Sequence, residues 1–274
     1  MTDKSNFPYL HGFTQTEQDR LRIQAAFSEQ TIYRDIDFTD CKSLLEIGCG
    51  VGAQSEILLR RFPNMKLTGV DLSDNQLESA RESLGKSPYA TGRYDLLKMN
   101  AENLDFESNS FDGGFVCWLL EHVPNPKKVL SEARRVLRSG STLYITEVLN
   151  SSFFLDPYSP NVWKYWMAFN DYQFENSGDP FIGAKLGNLL LSLGFEEVET
   201  QTKTWHFDNR FPDKRKKTIE FWSDLLMSAS DQLIKDKVVT QEIVDNAKEE
   251  LANVAGDPNA VFYYSFIQAS AKVY

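Results

Sequence analysis

Apolar positions along the first half of the chain fall into short runs separated by amphipathic stretches. Leu44–Ile47, Met65–Val70, Gly114–Trp118 and Thr142–Val148 each predict a buried strand. Helical patterns lie between them. Thr14-Gln15-Thr16-Glu17 is a capping box, and the helix after it carries Leu21, Ala25 and Ile32 on one face. Ala53–Arg61 reads as a helix that stops before Pro63, since the residue preceding proline disfavours helical backbone. Ser73-Asp74-Asn75-Gln76 is a second capping box, opening a helix that ends near Gly85. Asn125-Pro126 supplies an N-cap and an N1 proline for a helix to about Arg138, closed by Gly140. Regular alternation of strand and helix predicts an α/β fold: a doubly wound, Rossmann-like, mostly parallel sheet with right-handed crossovers.

The pattern changes after Leu149. Residues 150–182 are crowded with aromatics, among them Phe153, Trp163, Trp166 and Phe169. Gly183–Gly194 then reads as a helix and Phe195–Thr200 as a strand; residues 204–256 look helical and mixed, and Ala260–Ala269 forms a long final strand. This predicts a core of residues 41–149, 183–203 and 257–274. Residues 1–40 form an N-terminal helical segment over its ligand end, and 150–182 and 204–256 are mainly helical cap insertions.

Candidate chemistry concentrates at Glu46-Ile47-Gly48-Cys49-Gly50-Val51-Gly52. Glycines after a strand let backbone approach a ligand without Cβ collisions, and strand, glycine turn and helix together form a nucleotide site. The spacing alone leaves the nucleotide open, because Gly48, Gly50 and Ala53 also satisfy the dinucleotide pattern. Glu46 is of little use beside a pyrophosphate but attracts a cationic cofactor. Asp71, ending the next strand, sits where a carboxylate accepts ribose hydroxyls in either kind of enzyme.

With Asn100-Ala101-Glu102, Phe111-Asp112, Leu119-Leu120-Glu121-His122 and Leu137–Ser141 added, residues 40–150 resemble the class I S-adenosylmethionine-dependent methyltransferases. The likeness is to the small-molecule branch that includes the ubiquinone/menaquinone-biosynthesis type. Asn100 stands where that family usually has Asp, and Arg138-Ser139-Gly140-Ser141 where it usually has Lys-Pro-Gly-Gly. The resemblance implies an antiparallel last strand and S-adenosylmethionine as cofactor, with S-adenosylhomocysteine as product. It also implies a cofactor site built from Glu46, Gly48, Cys49, Gly50, Gly52, Gln54, Asp71, Leu72, Gln76, Asn100, Ala101, Glu102 and Cys117. Arg20, on the N-terminal helix, is a candidate partner for the cofactor carboxylate.

Methyl transfer from a sulfonium is an in-line displacement, so positioning and exclusion of water carry much of the catalysis. A base is needed only when the acceptor must lose a proton. His122 and Glu147, after the fourth strand and at the end of the fifth, and Tyr9 and His11, in a segment that can fold over the site, are the candidates. Trp163, Trp166 and Asn170 share helical i, i+3, i+7 spacing and are candidate substrate contacts, with core packing as the alternative.

Composition narrows the partners. Lys and Arg number 29 against 39 Asp and Glu, a net charge of −10, and such a surface repels phosphate backbones. A small-molecule acceptor, partly apolar, is therefore expected rather than a nucleic acid. Three cysteines give no disulfide framework, no apolar run approaches a membrane span, and no metal-ligand pattern stands out; a cytoplasmic protein is expected. Oligomeric state is not legible. Two other functions use the same residues: an NAD(P)-dependent oxidoreductase, for which no Tyr-x-x-x-Lys pair is evident near the fourth strand, and a non-catalytic module that binds S-adenosylmethionine.

Overall fold

The computed structural model describes residues 14–274. Five strands, β1 (Ser43–Ile47), β2 (Lys66–Asp71), β3 (Tyr94–Lys98), β4 (Phe111–Cys117) and β5 (Leu137–Val148), pair in parallel in the order β3-β2-β1-β4-β5. The reversal of strand order between β1 and β4, which run parallel, creates the switch point at which such sheets bind ligands. β8 (Val261–Lys272) runs antiparallel to β5 and is covered on its other edge by β7 (Glu196–Phe207), also antiparallel. The short β6 (Phe154–Asp156) pairs the start of β8, continuing the line of β5. The sheet is thus the mostly parallel, doubly wound arrangement expected from the alternating pattern.

Helices cover both faces: α1 (Gln15–Ile32), α2 (Ala53–Arg61), α3 (Asp74–Lys86), α4 (Pro126–Val136) and α6 (Leu186–Ser192). The N-caps follow the sequence. Thr14 Oγ1 accepts from Glu17 N–H, Ser73 from Gln76 N–H and Asn125 from Lys128 N–H. Helix α1 departs from a simple amphipathic helix. Its buried residues include Glu17, Gln18, Arg20 and Ser28 beside Ala25 and Ile32, because part of this face borders a polar cavity rather than the core.

The two segments expected as cap insertions contain α5 (Pro160–Glu175), α7 (Pro212–Met227), α8 (Ser230–Lys235) and α9 (Gln241–Gly256). Two boundaries differ from the sequence reading. Strand β7 continues to Phe207, so the second cap segment becomes helical only at Pro212; seven further cross-strand pairings with β8, from Gln201 to Phe207, decide this against the local polar pattern. Helix α4 ends at Val136 and β5 begins directly at Leu137, paired with Phe111. A cluster of rings joins cap to sheet: Trp222 stacks on Phe153 at 5.4 Å and tilts against Tyr264 at 4.5 Å, while Trp205 meets Phe266 at 5.1 Å. Such ring pairs contribute about 0.5–1.5 kcal/mol each beyond the area they bury.

Candidate functional site

A cavity of about 730 Å³ opens at the C-terminal ends of β1, β2 and β4, between α1 and the cap. One half is polar and built by the loops after those strands. Gly48 (φ +78°) and Gly50 (φ +49°) turn the chain after β1, a conformation that favours glycine. The N–H groups of Gly48 and Cys49 both donate to Val70 O, holding the turn against β2. A Cβ at Gly50 would project into open space, so the loop leaves a cradle where a ligand can approach backbone.

Asp71 closes this cradle. Its Oδ2 accepts from Gly50 N–H at 2.9 Å and its Oδ1 from Ser73 N–H at 2.9 Å; burial raises its pKa, against the pull of these bonds. Leu72, on the same wall, is 57% exposed, an apolar side chain placed for a flat ring to cover. Asn100, Ala101 and Glu102 continue the wall, with Asn100 Oδ1 accepting from Glu102 N–H at 2.9 Å. Cys49, Gln54, Gln76 and Cys117 also line it, and Gln76 is tied to α1 through Gln18 at 3.2 Å. Arg20 is on the wall too, with its guanidinium bidentate on Glu17 (2.7 and 2.6 Å) and bonded to Gln24 at 2.8 Å. A ligand carboxylate there would have to share Arg20 with Glu17.

Two residues of the expected cofactor set, Glu46 in β1 and Gly52 in the turn after it, stand behind the wall. Glu46 is 2% exposed and accepts from Ser55 Oγ at 2.5 Å. Burial pushes its pKa up to about 8, with the Ser55 bond opposing and Asp71 adding to the rise. Burial therefore favours its protonated form, which weakens the attraction for a cation expected from its sequence position. Gly52 starts α2 at φ +73°, and a Cβ there would meet Ala80 at 3.1 Å: its smallness serves packing of α2 on α3.

Aromatic rings wall the other half. Trp166 and Phe169 from α5 stack at 5.8 Å, facing Trp205, Phe221, Trp222 and Tyr264, with Trp118 at the junction. Trp118 is a non-glycine residue at φ +52°, a strained conformation of the kind concentrated at functional sites. Its N–H donates to Thr146 O, and the turn after it is held by Glu147. Glu121 and His122 come off this turn onto the cavity wall. Glu121 accepts from Gln173 Nε2 at 3.1 Å and lies 3.5 Å from His122 Nε2.

Several candidate contacts are relocated. Glu147 does not reach the cavity: it is fully buried, and its carboxyl accepts from the N–H groups of Leu119, Leu120 and Glu121 at 2.9, 2.7 and 3.4 Å. It shapes the turn rather than touching a substrate. Asn170 is buried beside the pocket, exchanging hydrogen bonds with Asn150 and Trp166, and Trp163 packs on Phe153 at 5.6 Å. Only Trp166 of that helical trio lines the cavity, because the pocket-facing stripe of α5 runs through Trp166 and Phe169. Tyr9 and His11 lie outside the described residues. Glu121, Trp205, Phe221, Trp222 and Tyr264 were absent from the expected set. They come from segments far apart in sequence, although Glu121 adjoins His122 in the motif itself.

Comparisons with known proteins agree with this layout. Residues 45–145 match the family model of a methyltransferase domain. Demethylmenaquinone methyltransferase of Desulfitobacterium hafniense is 32% identical over 130 residues, covering 47% of this chain and 49% of that protein. The O-methyltransferase resE of Aspergillus sclerotiorum is 32% identical over 156 residues, 57% of this chain and 55% of its own. The chain thus spans about half the length of the curated relatives it matches. In fold it resembles phosphoethanolamine N-methyltransferase 2 of Haemonchus contortus, solved with phosphomonomethylethanolamine and S-adenosylhomocysteine. That likeness has a TM-score of 0.60 at 18% identity and covers 99% of this chain and 61% of that one. Residues 45–145 thus match a methyltransferase domain, and the fold around them is the one seen in that solved structure. Among the described residues no helix is long and apolar enough to cross a membrane, and no cluster of side chains could hold a metal ion.

Proposed function

We propose that this protein transfers a methyl group from S-adenosylmethionine to a small, partly apolar molecule. The observation that carries the reading is the continuity of one cavity. A nucleoside-shaped polar half, formed by the Gly48–Gly50 turn, Asp71, Leu72 and Asn100–Glu102, runs directly into an aromatic half. When bound, S-adenosylmethionine supplies a methyl group already activated on a sulfonium. Asp71 would accept from the ribose hydroxyls with the lone pairs left by Gly50 and Ser73, and Leu72 would pack on the adenine. Gly50 lets the methionine portion pass close to backbone. The aromatic cap excludes water and sets the acceptor in line with the methyl group, which is where most of the acceleration of such a displacement arises.

The curated relatives named as methyltransferases of demethylmenaquinone and of an oxygen acceptor favour small organic acceptors over macromolecules. So does the net charge of −10, which disfavours nucleic acid. A cytoplasmic setting belongs to the same proposal, supported by three cysteines that are all free thiols.

Incubation of the protein with S-adenosylmethionine and a mixture of small acceptors, with S-adenosylhomocysteine quantified by mass spectrometry, tests the activity. Acceptor-dependent product supports it. Tight cofactor binding with no product from any acceptor favours the non-catalytic binding module.

A further inference from the structure

Resting on that reading, we propose that the cap half of the cavity takes a flat, ring-bearing acceptor with a free hydroxyl and no anionic group, the hydroxyl proton passing to the Glu121–His122 pair. Three observations lead to it.

The first is shape. Trp166, Phe169, Trp205, Trp222 and Tyr264 present ring faces and edges to the cavity and are fixed by contacts with one another. Trp166 stacks on Phe169 at 5.8 Å, Trp222 meets Tyr264 at 4.5 Å, and Trp205 meets Tyr264 at 6.2 Å. All five are buried, at 2–5% exposure. A preformed wall of this kind favours a rigid planar guest, because stacking gains little from a flexible chain.

The second is charge. Among the described residues lining the cavity, the one Arg or Lys is Arg20. It lies on α1 at the polar end, where Gln18 of the same helix bonds Gln76, and its guanidinium is bidentate on Glu17. Among the described residues, the aromatic half carries Glu121 and His122 as its charge-bearing groups. A phosphate or carboxylate placed there would be desolvated beside a carboxylate, with no arginine or lysine among the described residues of that half to receive it.

The third is the state of the polar groups. Tyr264 Oη donates to Asn150 Oδ1 at 2.8 Å and Asn150 Nδ2 donates to Asn170 at 2.7 Å, so these amide and phenol groups are engaged with protein. Glu121 is oriented by Gln173 at 3.1 Å and lies 3.5 Å from His122 Nε2, close enough for the two side chains to share a proton. The acceptor oxygen forms its bond to the methyl carbon as the carbon–sulfur bond breaks. The electron pair of that bond stays on sulfur, which becomes a neutral thioether, and the hydroxyl proton goes to the pair and then to solvent. No further reactant is required. Glu121 is faced by His122 on its own turn, Cys117 on β4, Glu147 on β5 and Tyr264 on β8.

The test uses the full chain loaded with S-adenosylhomocysteine, titrated with 2-naphthol and with 2-naphthyl phosphate and followed by tryptophan fluorescence and calorimetry. Saturable binding of 2-naphthol, at least tenfold tighter than its phosphate ester, is expected. Equal or tighter binding of the phosphate ester, or no saturation by 2-naphthol, overturns the inference. Glu121→Gln should bind 2-naphthol within threefold of the parent, yet lose at least a hundredfold in methyl transfer to it, together with the acidic limb of the pH–rate profile. Retained transfer with an unchanged profile overturns the assignment of the proton. Failure to bind S-adenosylhomocysteine at all is a separate result, which removes the proposed function before the acceptor is considered.

Discussion

The carboxylate of Asp71 is hydrogen-bonded to the backbone N–H of Gly50 at 2.9 Å, joining the end of β2 to the turn after β1. One side chain thereby fixes the glycine loop and presents its remaining lone pairs to the cavity. Asp71→Ala should weaken binding of S-adenosylhomocysteine by more than ~1 kcal/mol, about fivefold or more, as for loss of a buried hydrogen-bonding group. Calorimetric titration of the variant checks this, and unchanged affinity would remove Asp71 from the site.

Gly48 and Gly50 separate folding from binding. A Cβ at Gly48 would lie 2.9 Å from Leu119 Cδ1, at φ +78°. Gly48→Ala should therefore lower stability by roughly 1–3 kcal/mol. Gly50→Ala meets nothing within 4 Å, so its melting temperature should change less, while the new methyl group occupies ligand space. Thermal melts and ligand titrations of both variants should give this crossed pattern; equal affinity for Gly50→Ala and wild type would contradict the cradle.

Glu147 is expected to matter for the turn and not for proton transfer. Glu147→Ala leaves three buried N–H groups without their acceptor and should cost roughly 2–4 kcal/mol in urea unfolding. Glu147→Gln keeps an oxygen for Leu119 and Leu120 and should cost less while retaining turnover. A glutamine variant of full stability and no activity would restore Glu147 as a base.

The buried Glu46 makes a pH-dependent contribution. Its folded pKa is raised to about 8 from 4.5, so the folded chain keeps a proton that the unfolded chain releases near pH 4.5. The more protonated state is the folded one, and the Glu46 contribution to stability must fall as pH rises from about 4.5 to about 8. Urea unfolding of wild type and Glu46→Gln at pH 5, 6.5 and 8 checks the sign: wild type should lose ground against the variant with increasing pH. The opposite trend would mean that Glu46 is ionised in the fold.

The legible part of this protein is the part set by local rules. Capping boxes at Thr14 and Ser73, the proline after Asn125 and the glycines at 48 and 50 act within a few residues, and they located the strands, helices and polar half of the cavity. The aromatic half was only partly legible, since Trp205 and Trp222 meet Tyr264 through strand pairing and helix packing across about forty to sixty residues. Helical spacing grouped Trp163 with Trp166, but Phe153, from outside the helix, claims Trp163 for the core. Glu147 looked like a cavity residue from its strand position. Its fate was decided by three N–H groups of a turn 26 to 28 residues earlier, which no spacing rule brings together.

The most direct test of the central claim is calorimetry of the purified protein with S-adenosylmethionine, S-adenosylhomocysteine and NADH in parallel. Saturable binding of the first two, with none for NADH, is predicted; binding of NADH instead would contradict the reading of the glycine loop and the methyl-transfer function built on it.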